Sequence, residues 1–122
     1  MQTRSMTPEQ RLETFQKFVL ERPDDPFTRY ALAMHLRSMG RLAEAVQAFT
    51  ELSTRSADYI PTWLMLGQTL EAAEQYGEAV RAYQAGMAAA TLKQDLHARG
   101  ELETALEALR SRSPQDAAPG AP

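Results

Sequence analysis

Residues 29–50 read RYALAMHLRSMGRLAEAVQAFT, and residues 63–84 read WLMLGQTLEAAEQYGEAVRAYQ. The second stretch repeats the pattern of the first at a spacing of 34 residues. The matched pairs are Leu32/Leu66, Ala33/Gly67, Leu36/Leu70, Glu44/Glu78, Ala45/Ala79, Val46/Val80, Ala48/Ala82 and Phe49/Tyr83. A constant period of this length is typical of a stacked helical array. The sequence therefore predicts a repeat architecture.

Each copy contains two helical patterns separated by a turn. In the first copy Leu32, Ala33 and Leu36 are three and four positions apart, which places them on one helix face. Gly40 follows as a typical helix-ending residue. The small residues Ala33 and Gly67 allow two helix backbones to cross closely. Each copy is thus predicted to be a helix hairpin, and hairpins must stack because one alone cannot bury its apolar face.

The second copy resembles a tetratricopeptide repeat. It carries Trp63-Leu64-Met65-Leu66-Gly67 and then Leu70, Ala79 and Tyr83, and that family has a large residue, Leu-Gly, a bulky residue, Ala and an aromatic at set places of a 34-residue unit. The positions that depart from the family pattern are Arg29, Ala33, Leu52, Gly86 and Thr91. The resemblance implies an all-α, right-handed stack of antiparallel helix hairpins with about six helices.

The same period divides the chain. We predict one helical domain over residues 7–112, flanked by a flexible N-terminus at 1–6 and a disordered tail at 113–122. The domain is predicted to contain a half unit at 8–22, repeat one at 26–59, repeat two at 60–93 and a capping helix at 95–112. The half unit has a clear start, because Thr7 is a good cap and Pro8 a good first helical residue.

The last helix leaves two alternatives, since its pattern arrives too early for the period. Either a stunted helix precedes Gly100, or one long helix runs from Asp95 through Gly100. We favour the long helix because its apolar residues form one continuous stripe, consisting of Ala98, Leu102, Ala105, Leu106 and Leu109. An interior glycine costs a helix about 1 kcal/mol, which tertiary packing can offset.

Composition excludes several classes of function. The 122 residues carry a net charge of −3, which does not favour a nucleic-acid or anionic-membrane surface. The chain has no cysteine, so disulfides, thiol catalysis and Cys-based metal sites are excluded. No apolar run approaches the roughly 20 residues of a membrane span. We therefore expect a cytoplasmic protein that binds neither nucleic acid nor membrane.

No pattern predicts catalysis. His35 and His97 lie far apart and lack metal-ligand spacing. Asp24 and Asp25 precede a helix start, where capping accounts for them better than metal or acid–base chemistry. The glycines are isolated rather than grouped in a phosphate-binding loop. We expect no enzyme activity, no catalytic or metal-binding residue and no cofactor.

A second stripe on the first helix of each hairpin is the best candidate for a binding surface. It lies one position round from the core stripe. Its members are Phe27, Tyr30, Met34 and Arg37 in hairpin one, and Leu64, Gln68 and Glu71 in hairpin two. In tetratricopeptide proteins this stripe lines a concave groove that holds a peptide or a partner helix. The alternative is that these residues pack beneath the first or last helix.

Two hypotheses for function follow. The first is a small adaptor or scaffold that binds one protein or peptide in the apolar groove; the second is a structural building block that forms a homodimer through the same surface. Related chaperone-binding proteins hold a C-terminal carboxylate with Lys and Asn, where this chain has Tyr30, Met34 and Met65. The resemblance therefore implies an amphipathic helix or apolar segment as the ligand rather than an acidic peptide end.

Overall fold

The computed structural model describes residues 5–112, and within that range all regular secondary structure is α-helical. The six helices are α1 (Pro8–Glu21), α2 (Pro26–Ser38), α3 (Leu42–Arg55), α4 (Pro61–Ala72), α5 (Tyr76–Leu92) and α6 (Leu96–Arg112). The prediction of an all-α stack with about six helices is confirmed. The predictions made for residues 1–4 and 113–122 lie outside the described residues. No helix within 5–112 is both long and apolar enough to span a bilayer.

Side-chain hydrogen bonds cap the starts of α1 and α2. At α1 the Thr7 hydroxyl accepts from the Gln10 backbone N–H at 3.1 Å, and the Gln10 side chain accepts from the Thr7 N–H at 2.8 Å. This reciprocal pair satisfies two donors that the first turn leaves unpaired. At α2 the Asp25 carboxylate accepts from the Phe27 N–H at 2.9 Å. Capping by Thr7 and Asp25 is therefore confirmed.

One turn geometry recurs at the ends of α2, α4 and α5. In each turn a backbone N–H reaches back five residues to a carbonyl, at 3.0 Å from Arg41 to Leu36, 2.8 Å from Gln75 to Leu70 and 2.8 Å from Asp95 to Ala90. One residue of each turn has positive φ, namely Gly40 (75°), Glu74 (61°) and Gln94 (56°). A left-handed residue is the usual way to close a helix end. The turn into α6 thus repeats the turn inside each hairpin.

Paired small and large residues hold each hairpin together. Ala33 of α2 and Phe49 of α3 are both fully buried. In the next hairpin Gly67 of α4 lies against the fully buried ring of Tyr83 on α5. A Cβ placed on Gly67 would lie 2.6 Å from Cδ1 and from Cζ of that ring, well inside van der Waals contact. The predicted close crossing of the hairpin helices is present.

Arg29 stands where the second unit has Trp63, and the two side chains make equivalent hydrogen bonds. Arg29 Nε donates to the carbonyl of Pro23 at 2.7 Å, and Trp63 Nε1 donates to the carbonyl of Ala57 at 3.0 Å. Both bonds reach back six residues and tie the helix to the connection that precedes it. Arg29 also contacts Glu51 of α3 at 3.2 Å. The replacement of a large aromatic residue by arginine therefore preserves this link.

Helix α6 is continuous through Gly100, as the favoured alternative predicts. It packs against α5 and α4, and Leu102, Leu106 and Leu109 are its buried residues. A second glycine, Gly86 of α5, lies where both Trp63 of α4 and Leu102 of α6 approach α5. A Cβ on Gly86 would lie 2.5 Å from Trp63 Cβ and 3.0 Å from Leu102 Cδ1. Helix α6 therefore occupies the position that the first helix of a third hairpin would take.

Candidate partner-binding groove

The first helices of successive hairpins, together with α6, enclose a cleft of about 250 Å³. Tyr30 of α2, Leu64 of α4 and Ala98 of α6 all line it. These three residues are 34 positions apart in sequence, so each occupies the same place in the period. Alanine at the third place leaves open the volume that tyrosine or leucine would fill. The cleft is thus a consequence of the repeat and of one small residue in it.

The walls of the cleft are apolar and are fixed by the core. The Tyr30 ring meets Phe49 edge-on at 6.0 Å and Tyr59 at 5.6 Å between ring centroids. Burial, and then the neighbouring Tyr59, raise the pKa of Tyr30, while Arg37 opposes the rise. The phenol is therefore neutral at physiological pH. Ile60, Met65 and Leu102 complete the apolar lining.

The mouth of the cleft is polar. Asp95, His97 and Glu101 contribute to its lining from the start of α6. The Asp95 carboxylate accepts from the Ala98 N–H at 3.0 Å and so caps the helix. His97 Nε2 lies 3.7 Å from Glu101, and the His97 side chain is 88% exposed. Both lining carboxylates lie at the open edge rather than in the interior.

A broader and more open depression, of about 700 Å³, adjoins the cleft along α4 and α6. Leu64 lines both depressions, and Gln68, one turn further along α4, lines the broader one. On α6 its lining runs from Leu96 to Ala108 and includes Gly100. Among residues 5–112, no side-chain or backbone atom of another segment lies within 4 Å of a Cβ placed on Gly100. The surface beside Leu64 is therefore an open trough with a glycine on one wall.

Glu71 has internal partners. Its carboxylate accepts the Tyr83 hydroxyl and lies 3.1 Å from the Arg112 guanidinium. Arg112 also lies over the Tyr76 ring, 5.7 Å from its centroid. Burial, followed by the Glu71 hydrogen bond, raises the pKa of Tyr83. This cluster joins the end of α6 to α4 and α5.

The seven residues of the predicted stripe consequently have different surroundings. Tyr30 and Leu64 share the cleft, and Leu64 and Gln68 share the trough. Met34 is half-buried and packs against the core, and Glu71 belongs to the cluster with Tyr83 and Arg112. Phe27 is 60% exposed; together with Met34, Arg37 and Glu71, it lines neither depression. The stripe thus combines exposed and half-buried positions, and its role in binding a partner stays a prediction.

The contribution of α6 is absent from the sequence-based set. The sequence predicts this helix only as a capping helix, whereas Ala98, Glu101 and Leu102 line the cleft. Ala98 lies 34 positions after Leu64, so the repeat period itself indicates that α6 contributes to the same surface.

The histidine and metal-site predictions concern other parts of the chain. His35 is accounted for by local contacts, because its Nε2 lies 2.8 Å from the Pro8 carbonyl and its ring lies 5.3 Å from Phe15. Residues 5–112 contain no group of three or more His, Cys, Asp or Glu side chains placed to bind a metal.

The solved structures that resemble this chain include two of tetratricopeptide repeat domain proteins. A solution NMR structure of a tetratricopeptide repeat domain protein from Salinibacter ruber is 30% identical, covers 73% of this chain and 90% of its own, and has a TM-score of 0.69. A crystal structure of a tetratricopeptide repeat domain protein from Salinibacter ruber is 30% identical, covers 71% of this chain and 97% of its own, and has a TM-score of 0.66. No protein-family model and no curated protein matches the sequence.

Proposed function

Because this chain belongs to the tetratricopeptide repeat family, we propose that it is a non-catalytic protein-interaction module. Its ligand is an apolar or amphipathic segment of a partner protein. The segment binds in the cleft between α2, α4 and α6 and continues along the adjoining trough. Tyr30 and Leu64 form apolar walls of the cleft, and Leu64 and Gln68 line the trough.

The observation that supports this proposal is the size and lining of the cleft. Its volume of about 250 Å³ falls below the ~300–1,000 Å³ of typical small-molecule sites. It suits one or two apolar side chains that project from a larger partner. Large apolar anchors seated in desolvated pockets carry most of the binding energy in protein interfaces.

The polar groups of the cleft support a binding role rather than catalysis. An enzyme site needs polar groups that converge on a bound substrate. The His97–Glu101 pair is solvent-exposed, and the Asp95 carboxylate already caps a helix. These residues favour orientation of a ligand over proton transfer.

The walls of the cleft are pre-organised. Tyr30 is held by Phe49 and Tyr59, and the helices carrying Leu64 and Ala98 are packed on the buried core. A surface that is already ordered loses little conformational entropy when a ligand binds. The module would therefore present the same surface before and after binding.

The test uses two variants of the cleft and one matched control. Leu64→Glu places a charge in the cleft, and Ala98→Leu fills the cleft without adding charge. Leu20→Glu makes the same chemical change as the first variant at a side chain of α1 that is 82% exposed. Replacing Tyr30 is a poorer test because its ring contacts Phe49 and Tyr59.

Partner capture from the source cell is compared across the three variants, with circular dichroism as the check of folding. We expect Leu64→Glu and Ala98→Leu to lose a captured protein that Leu20→Glu retains. If all folded variants capture the same proteins, binding in the cleft is contradicted.

Light scattering at several concentrations tests the homodimer directly. A dimer dissociated by Ala98→Leu would identify the second copy as the ligand.

A further inference from the structure

The permanently charged side chains that line the cleft and the trough are acidic, whereas Arg37, which lines neither, lies near enough to Tyr30 to oppose the rise in its pKa that burial causes. Asp95 and Glu101 contribute carboxylates, and neither lining contains an Arg or Lys. Within the described residues, six arginines form ion pairs with carboxylates at other places, and these are Arg29, Arg41, Arg55, Arg81, Arg99 and Arg112. Glu101 faces only the exposed His97, which is charged only when protonated. The α6 side of the rim therefore carries the negative charge.

The trough has the dimensions of a helix-binding surface. Its α6 wall extends from Leu96 to Ala108, and twelve residue steps at 1.5 Å each give a length of about 18 Å. That length matches about three turns of a bound helix, enough for apolar residues at positions i, i+4 and i+7.

Gly100 gives a second and independent indication of what the trough accommodates. It is an interior residue of α6, it is exposed, and a Cβ there would meet no other segment. Packing among the described residues therefore does not require glycine at the position, although glycine costs a helix about 1 kcal/mol relative to alanine. A glycine on the wall of a trough permits a second backbone to approach closely.

We infer that the partner segment is a cationic amphipathic helix, with a bulky apolar anchor in the cleft and Lys or Arg residues beside Asp95 and Glu101. This inference rests on the proposed function and specifies the partner class for the same site. Opposite charges across an interface favour the correct partner and accelerate association, while like charges reject wrong partners. The backbone of the helix passes close to Gly100.

The probes are three fluorescent synthetic helices of about 18 residues, a length at which an isolated helix can form. The first has an apolar stripe with lysines beside it, the second has the same stripe with glutamates, and the third has the lysines with serines in place of the stripe. Binding to the full chain is measured by fluorescence anisotropy. We expect only the first helix to bind, with an affinity that falls as salt is added.

The protein variants separate charge from shape. Asp95→Asn with Glu101→Gln removes both carboxylates and keeps an amide that can cap α6. We expect this double variant to bind the cationic helix about 2- to 10-fold more weakly, since exposed ion pairs each contribute modestly. Glu107→Gln makes the same kind of charge change at an exposed α6 residue that lines neither depression, and it should leave binding unchanged. Gly100→Gln should lose binding while the protein becomes no less stable to urea.

Two results would overturn the inference. One is equal binding of the lysine and glutamate helices; the other is unchanged binding of the lysine helix by the double variant. If both apolar helices bind wild type and neither binds Leu64→Glu, the charge inference fails and the proposed function stands. If no helix binds and Leu64→Glu captures the same proteins as Leu20→Glu, the proposed function fails as well.

Discussion

Replacing Gly67 by alanine should destabilise the protein, although alanine is the better helix former. The added Cβ would lie 2.6 Å from two ring carbons of Tyr83. That ring is fully buried, and its hydroxyl donates to Glu71, so the ring cannot tilt away without disturbing both its packing and this hydrogen bond. The first hairpin tolerates a Cβ at the equivalent position, because Ala33 and Phe49 occupy the places of Gly67 and Tyr83 and are both fully buried. The clash is therefore specific to the second hairpin.

The magnitude follows from two opposing terms. Forcing an extra carbon into a packed core costs about 1–3 kcal/mol, and replacing an interior helical glycine gains about 1 kcal/mol. Because burial and the hydrogen bond to Glu71 both restrain the Tyr83 ring, we expect Gly67→Ala to lower the free energy of unfolding by about 1–2 kcal/mol. Gly100→Ala is the matched control, since it makes the same substitution in a helix interior with open space around it. It should raise the free energy of unfolding by about 1 kcal/mol.

Urea unfolding followed by circular dichroism measures both variants. The two variants should shift the free energy of unfolding in opposite directions and differ by about 2–3 kcal/mol, which corresponds to roughly 9–13 °C in Tm for a domain of this size. A Gly67→Ala protein as stable as Gly100→Ala would refute the close-crossing argument.

Three further predictions concern helix ends and ionisation. Arg112→Ala removes the ion pair to Glu71 and the contact with Tyr76, so hydrogen exchange should accelerate in the last turns of α6 more than in α4; uniform acceleration would contradict this. Burial raises the pKa of Tyr83 above its unfolded value near 10. The neutral phenol therefore stabilises the fold fully below pH 10, and above that pH the free energy of unfolding falls by up to about 1.4 kcal/mol per pH unit. Urea titrations from pH 8 to 11 should show a shallower alkaline loss in Tyr83→Phe, and an unchanged slope would rule out Tyr83 as a contributor. Glu74 and Gly40 occupy the same positive-φ position in equivalent turns. Glu74→Gly should therefore stabilise the protein and Gly40→Ala should destabilise it, each by about 1 kcal/mol in urea unfolding. Effects of the same sign would contradict the equivalence of the two turns.

The repeating pattern was sufficient to predict the fold because helix hairpins are encoded in local spacing. The Leu-Gly pair at 66–67 and its counterpart at 32–33 report both the helix face and the close crossing. The caps at Thr7 and Asp25 were also predictable, because each needs only one side chain and the backbone two or three residues ahead. Interactions of short sequence range were therefore accessible from the sequence.

The candidate site was less predictable because it depends on contacts that join different helices. Glu71 resembled a groove residue by spacing, yet its carboxylate is bonded to Tyr83 and Arg112, 12 and 41 positions away. By spacing, Ala98 belongs to the apolar stripe of the predicted capping helix, and its importance lies in the volume that it leaves open. Neither a long-range carboxylate partner nor an empty volume has a signature in hydrophobic periodicity.

The most direct test of the proposed binding mode is an NMR measurement of contacts between a bound helix and the cleft. The chain is labelled at its Leu, Met and Ala methyl groups and mixed with the lysine-flanked amphipathic helix. Binding in the cleft predicts nuclear Overhauser effects from the apolar anchor to Leu64, Met65 and Ala98. Contacts instead to Leu20 on α1, or to the exposed Leu92 at the end of α5, would contradict it.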